Sequence, residues 1–119
     1  MTRSTGPDLA TRELVRWRDR DRCRRCGATT WQVHHRRPRG MGGTRDPLTN
    51  GPANLVLLCG SGTTGCHGWV ESHRAEARAE GWLVSKWADP AAIPIVHNGR
   101  TIHLDDRGTA TVTTTKETA

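Results

Sequence analysis

Four cysteines, Cys23, Cys26, Cys59 and Cys66, are the feature that most limits how this chain can fold. Only 34% of its 119 residues are hydrophobic, Phe and Tyr are absent, and five Trp carry all the aromatic mass. A chain this short buries a modest share of its unfolded surface, so apolar packing needs help, and the cysteines are placed to give it. No stretch approaches the ~20 apolar residues of a membrane span. The opening MTRSTGPDLA lacks the apolar run of a secretory signal. A cytoplasmic location is therefore expected, and there paired cysteines hold metal more often than they form disulfides.

Cys23-x-x-Cys26 has zinc-knuckle spacing, which brings two thiolates onto one tetrahedral ion. Cys59 and Cys66 form the second pair, with six intervening residues rather than the usual two to four, and the insert GSGTTG is expected to give the slack that lets them meet. A structural Zn²⁺ on four thiolates can contribute ~10–16 kcal/mol of binding energy to folding. The redox reading of a CxxC pair requires a βαβ context that is missing here.

Punctuation along the chain predicts a small α+β domain over 8–104, with a disordered leader at 1–7 and a flexible, Thr-rich tail at 105–119. Asp8 caps a helix running to about residue 22, with Ala10, Leu14 and Trp17 on its buried face. WQVHH alternates and predicts a short strand stopped by Pro38. Seven Gly or Pro residues make 36–53 a long loop. NLVLLC is a second strand, and GWVESHRAEARAE a helix closed by Gly81. Residues 81–94 read as irregular, with two Trp closing over the core. IPIVHNGRTIHL reads as a hairpin turning at Asn98-Gly99. All five Trp are expected in the core.

The formal net charge is +6, and residues 12–45 hold eleven Arg against Glu13, Asp19 and Asp21. Sixteen of the eighteen basic residues are Arg, which suits forked contacts to phosphate. Such lopsided charge fits a polyanion on one face. Arg36, Arg37, Arg39 and Arg45, in the loop after the first strand, are the candidate phosphate contacts. Arg16, Arg20 and Arg24 could extend that footprint, although Asp19 and Asp21 among them suggest local pairing.

Four thiolates close one ion, which leaves His34, His35 and His67 free. Cys23-x-x-Cys26, Val33-His34-His35, Arg39-Gly40-Met41-Gly42-Gly43, Asn54-Leu55, Cys59 and Cys66-His67-Gly68-Trp69 follow one another in order. Over about residues 20–83 the chain resembles the HNH endonuclease family, its phage-encoded and actinobacterial members above all. The resemblance implies a ββα-metal core over about 31–81, flanked by an N-terminal helix and a C-terminal hairpin. It also implies that His35 is the general base, that His34 and His67 hold a catalytic divalent ion, and that Asn54 ties the loop to the strands. The ion could be Mg²⁺, Mn²⁺, Ni²⁺ or Zn²⁺. Glu71, four residues beyond His67 on the same helix face, is the favoured third ligand, with His73 or water as alternatives. His97 and His103 read as structural or solvated.

The expected function is metal-dependent hydrolysis of phosphodiester bonds in double-stranded DNA, with no membrane partner. A role beside a phage DNA-packaging terminase is the context the resemblance implies. The alternative is a zinc-stabilised DNA-binding module without catalysis, which needs only the cysteines and the arginines.

Overall fold

The computed structural model describes residues 6–38 and 48–114. Helix α1 (Leu9–Asp19) leads into strand β1 (Gln32–His35), and β1 pairs antiparallel with β2 (Leu55–Leu58). Helices α2 (Gly65–Ser72) and α3 (Arg74–Glu80) follow, and then strands β3 (Ile95–His97), β4 (Arg100–Leu104) and β5 (Ala110–Thr114) form a second antiparallel sheet in that order. The result is a small α+β fold, as the sequence predicts. Arg39, Arg45 and the Gly40–Gly43 run lie outside the described residues.

Every residue of β2 is buried, because both of its faces are covered. Val56 and Leu58 join the main core with Val70, Ala77, Trp82, Ile95 and Leu104. Leu55 and Leu57 face the other way, against Val15 of α1, with Trp31 and Val33 alongside. Two covered faces explain why NLVLLC is the most apolar run in the chain rather than an alternating one.

Helix α1 starts where the sequence places it: Asp8 Oδ1 accepts the Thr11 N–H at 2.8 Å. Its buried face, however, differs from the expected one. Leu14 is exposed and Trp17 is 78% exposed, while Val15, Arg18 and Asp19 are buried. A polar network turns the helix this way. The Arg18 guanidinium donates to the Pro52 and Leu55 carbonyls and to the Asp19 carboxylate. That carboxylate also accepts from Arg24 and from the Leu57 N–H. Unpaired, a buried carboxylate would be costly; with two guanidiniums and a backbone donor it anchors α1 to β2. The helix ends at Asp19 rather than near residue 22, because Arg20 and Asp21 adopt left-handed backbone (φ 60° and 53°) and Arg16 Nε holds Asp21 at 2.8 Å.

The segment expected as one helix is two. The break falls at His73 (φ −128°), and Gly81 closes α3 at φ 91°. Asn98 and Gly99 both take positive φ, as the type I′ turn requires. The supposed tail carries β5, so the hairpin is a three-stranded sheet. The turn that brings β5 back is Asp105 to Thr109: the Asp105 carboxylate accepts the N–H groups of Arg107 and Thr109 at 2.9 and 3.0 Å. Its neighbour Asp106 accepts the Ala53 N–H and so docks the turn beside the start of β2. Trp82 is wholly buried and Trp31 and Trp69 are half-buried, but Trp17 and Trp87 stand in solvent, against expectation. Among the described residues, no helix is long and apolar enough to cross a membrane.

Candidate metal centre and histidine groove

The four cysteine sulfurs lie within 4.8 Å of one another, and all four cysteines are free of disulfides. Cys26 Sγ and Cys59 Sγ are 3.6 Å apart. Thiolates at ~2.3 Å from a tetrahedral zinc stand about 3.8 Å from each other, so the cluster fits such an ion. Both pairs are turned by N–H···S contacts: Cys26 N to Cys23 Sγ at 3.4 Å and Cys66 N to Cys59 Sγ at 3.3 Å. Burial pushes the Cys66 thiol up to about 12 in the absence of a cation, so a bound ion would displace its proton.

The GSGTTG insert is not slack. Ser61 and Thr64 exchange backbone hydrogen bonds at 3.0 and 3.3 Å, and their hydroxyls meet at 2.9 Å. A Cβ on Gly60, at φ 87°, would come within 2.0 Å of the Thr64 carbonyl oxygen. The longer spacing between Cys59 and Cys66 is thus a folded turn, one that needs glycine where it crosses itself. Arg25, inside the first knuckle, adds a contact the sequence did not signal. Its guanidinium lies 3.9 Å from the Trp69 ring centroid and donates to Cys66 Sγ at 3.3 Å, bringing positive charge to the thiolates.

His67 follows Cys66 directly, yet its side chain serves another place. Its backbone N–H donates to the Cys59 carbonyl at 2.9 Å, while its ring lies 5.2 Å, centroid to centroid, from that of His34. Two imidazoles on one ion would place their centroids about 4.5–5.2 Å apart at bond angles of ~90–110°. The remaining nitrogens are held. His34 Nε2–H donates to the Trp82 carbonyl at 2.8 Å, which leaves Nδ1 with its lone pair. His67 Nδ1 meets Gln32 Oε1 at 3.2 Å, which leaves Nε2. Burial, chiefly, lowers the His34 pKa to about 4, so its ring is neutral near pH 7. A ring nitrogen pinned by an oxygen acceptor is the usual support of a metal-binding histidine.

The β1–β2 register puts His34 on the face of Val56 and His35 on the opposite one. His35 ends β1, and an open groove of about 370 Å³ wraps that end, so His34, His35, His67 and Glu71 all border it. His35 Nε2–H donates to Asn50 Oδ1 at 2.8 Å. Asn54 is fully buried. Its side-chain amide donates to the Arg37 and Thr49 carbonyls at 3.0 and 2.8 Å and accepts the Arg37 N–H at 2.6 Å. Three hydrogen bonds from one side chain fasten both ends of the loop that follows His35.

Glu71 borders the groove, but its carboxylate pairs with Arg74 at 3.0 Å. Among the described residues, the cysteines form a close group of metal-ligating atoms, whereas His34, His67 and Glu71 do not. His73 turns away, its ring stacked on Trp69 at 5.1 Å. His97 pairs with Glu80 at 3.1 Å and His103 is exposed.

Arg36 and Arg37 require correction as phosphate contacts. Arg36 is wholly buried, its guanidinium donating to the carbonyls of Ala53, Gly81, Pro90 and Ile93. Burial lowers its pKa only to about 10, so it stays charged. Arg37 is buried too and donates to the Ala88 carbonyl at 3.0 Å. Residues just after a strand that ends inside the fold point into carbonyl-rich pockets as readily as outward, and composition does not separate the two. Arg24 likewise serves the Asp19 network. Gln32, Asn50 and the Trp82 carbonyl were missed; Gln32 alone left a signal, two residues before His34 on the same strand face.

The chain matches no protein-family model, no curated protein and no solved structure.

Proposed function

We propose that this chain is a metal-dependent DNA endonuclease of the HNH kind, its ββα unit running from β1 through β2 to α2. The observation that carries the proposal is the approach of His34 and His67 across β1 and α2, with His35 bordering the same groove. A binding module would have no use for three histidines so arranged. His34 Nδ1 and His67 Nε2 would hold one divalent ion, with Glu71 as third ligand once its carboxylate leaves Arg74. When bound, that ion supplies charge stabilisation to the scissile phosphate and the departing oxygen.

The chain's own groups do the remainder. His35, held at Nε2 by Asn50, takes the proton of the attacking water. Asn54 positions His35 by fixing the loop ends, without touching the substrate. The four-thiolate zinc site fixes the start of α2 and with it His67.

Plasmid cleavage with Mg²⁺, Mn²⁺, Ni²⁺ or Zn²⁺ tests the proposal. Wild type should relax or linearise supercoiled plasmid in at least one metal, and His35→Ala should be slower by about 10²–10⁴-fold, the usual worth of a general base. Wild type that shifts DNA on a gel but leaves plasmid intact in every metal refutes the enzyme in favour of the DNA-binding module.

A further inference from the structure

The segment leaving the histidine groove carries a second surface. Leu83 borders the groove, and Val84 donates its N–H to the Arg36 carbonyl at 2.8 Å, one residue past His35. Ser85, Lys86 and Trp87 then turn outward. With Pro38, Arg78 and Val84 they line an adjoining groove of about 310 Å³, and Pro38 borders both grooves. Trp87 is 84% exposed, with Lys86 Nζ 4.8 Å over its ring and its N–H on Ser85 Oγ at 3.2 Å. Among the described residues, the walls hold two cations, an indole and no carboxylate.

That combination narrows the occupant. An indole left in water gives up burial that would stabilise the fold, whereas Trp82, five residues earlier, is fully buried. Cations beside an exposed aromatic face match nucleic acid, whose phosphates meet the charges while a base stacks on the ring. In a paired duplex the base faces are already covered by their neighbours, so only an unpaired base can use the indole. An acidic peptide would satisfy Arg78 and Lys86 and leave the ring idle. We propose that this groove receives an unpaired nucleotide of the DNA substrate, its base stacked on Trp87 and its phosphates beside Arg78 and Lys86. The inference rests on the nuclease reading for the identity of the strand, and it makes gapped, frayed or distorted DNA the preferred substrate class.

Fluorescence anisotropy of the full chain, in a His35→Ala background that slows cleavage, compares a labelled duplex with the same duplex carrying a short single-stranded gap. Trp87→Ala should weaken binding to the gapped DNA by about tenfold or more, from the measured range of base–aromatic stacking. Binding to the paired duplex should hardly change, and Trp87→Phe should restore most of the loss. With 5-iodouracil in the gap, photocrosslinking should map to Trp87. Equal losses on both DNAs, no loss on either, or competition by polyglutamate as strong as by gapped DNA overturns the proposal. The two readings fail separately: a chain that cuts no DNA in any metal but keeps a Trp87-dependent preference for gaps refutes only the nuclease. One that cuts plasmid yet binds gapped DNA equally with and without Trp87 refutes only the stacking groove.

Discussion

Cys66 and His67 are neighbours in the chain and belong to two regions built on opposite plans. Around Cys66, four sulfurs gather within 4.8 Å and are wrapped by backbone N–H groups and the Arg25 guanidinium. Around His67, two imidazole centroids lie 5.2 Å apart, each ring has one nitrogen hydrogen-bonded, and both residues border a groove of about 370 Å³. A closed set of four ligands leaves an ion no position for a substrate, whereas an open set reserves positions for one. The first region suits structure and the second chemistry. The His67 N–H on the Cys59 carbonyl couples them, so order in the cysteine site becomes position in the groove.

The largest effect expected from this contrast follows loss of the cysteine site. Zinc binding of ~10–16 kcal/mol matches or exceeds the ~5–15 kcal/mol net stability of a small domain. Cys23→Ser, or a strong chelator, should therefore abolish the cooperative thermal transition in circular dichroism. Persistence of a native-like transition in metal-free protein would show that the fold stands without the cysteine site. Next in size is Arg36, the support on the groove side. Arg36→Ala leaves four buried carbonyls short of a donor and should lower the unfolding free energy in urea by about 3–5 kcal/mol; a loss below 1 kcal/mol would make it the surface arginine the sequence suggested.

The smallest effect is a titration. Burial holds the folded His34 pKa near 4, below the ordinary 6.5. Between these values the unfolded chain takes up a proton that the folded chain refuses. Stability from this residue is thus intact above pH 6.5 and is lost as pH falls towards 4. In ¹⁵N NMR, with no ion added to the groove, His34 should remain the neutral Nε2–H tautomer at pH 5. Protonation near 6.5 would remove the reason for assigning it a free Nδ1.

The two regions were not equally legible in the sequence. Short-range chemistry was: the Asp8 cap, the Asn98-Gly99 turn, the Gly81 stop and the cysteine spacing each act within a few residues. The role of Asn54 was legible only through the resemblance, which implied that it ties the loop to the strands. What failed depends on contacts between distant segments. The buried face of α1 is set by Arg18 and Asp19 reaching Pro52, Leu55 and Leu57, which apolar periodicity along one helix does not register. Arg36 reaches carbonyls as far along the chain as Pro90 and Ile93. Besides Gln32, β5 left a missed local clue, since Asp105 and Gly108 frame a turn ahead of the alternating ATVTT.

The division of labour between Cys66 and His67 can be read from zinc K-edge X-ray absorption on protein loaded with one equivalent of Zn²⁺. Four sulfur scatterers at about 2.3 Å and no imidazole nitrogen are predicted, with the spectrum unchanged in His67→Ala. A mixed sulfur and nitrogen shell that becomes all-sulfur or loses order in His67→Ala would put both neighbours on one ion and contradict the two-region account.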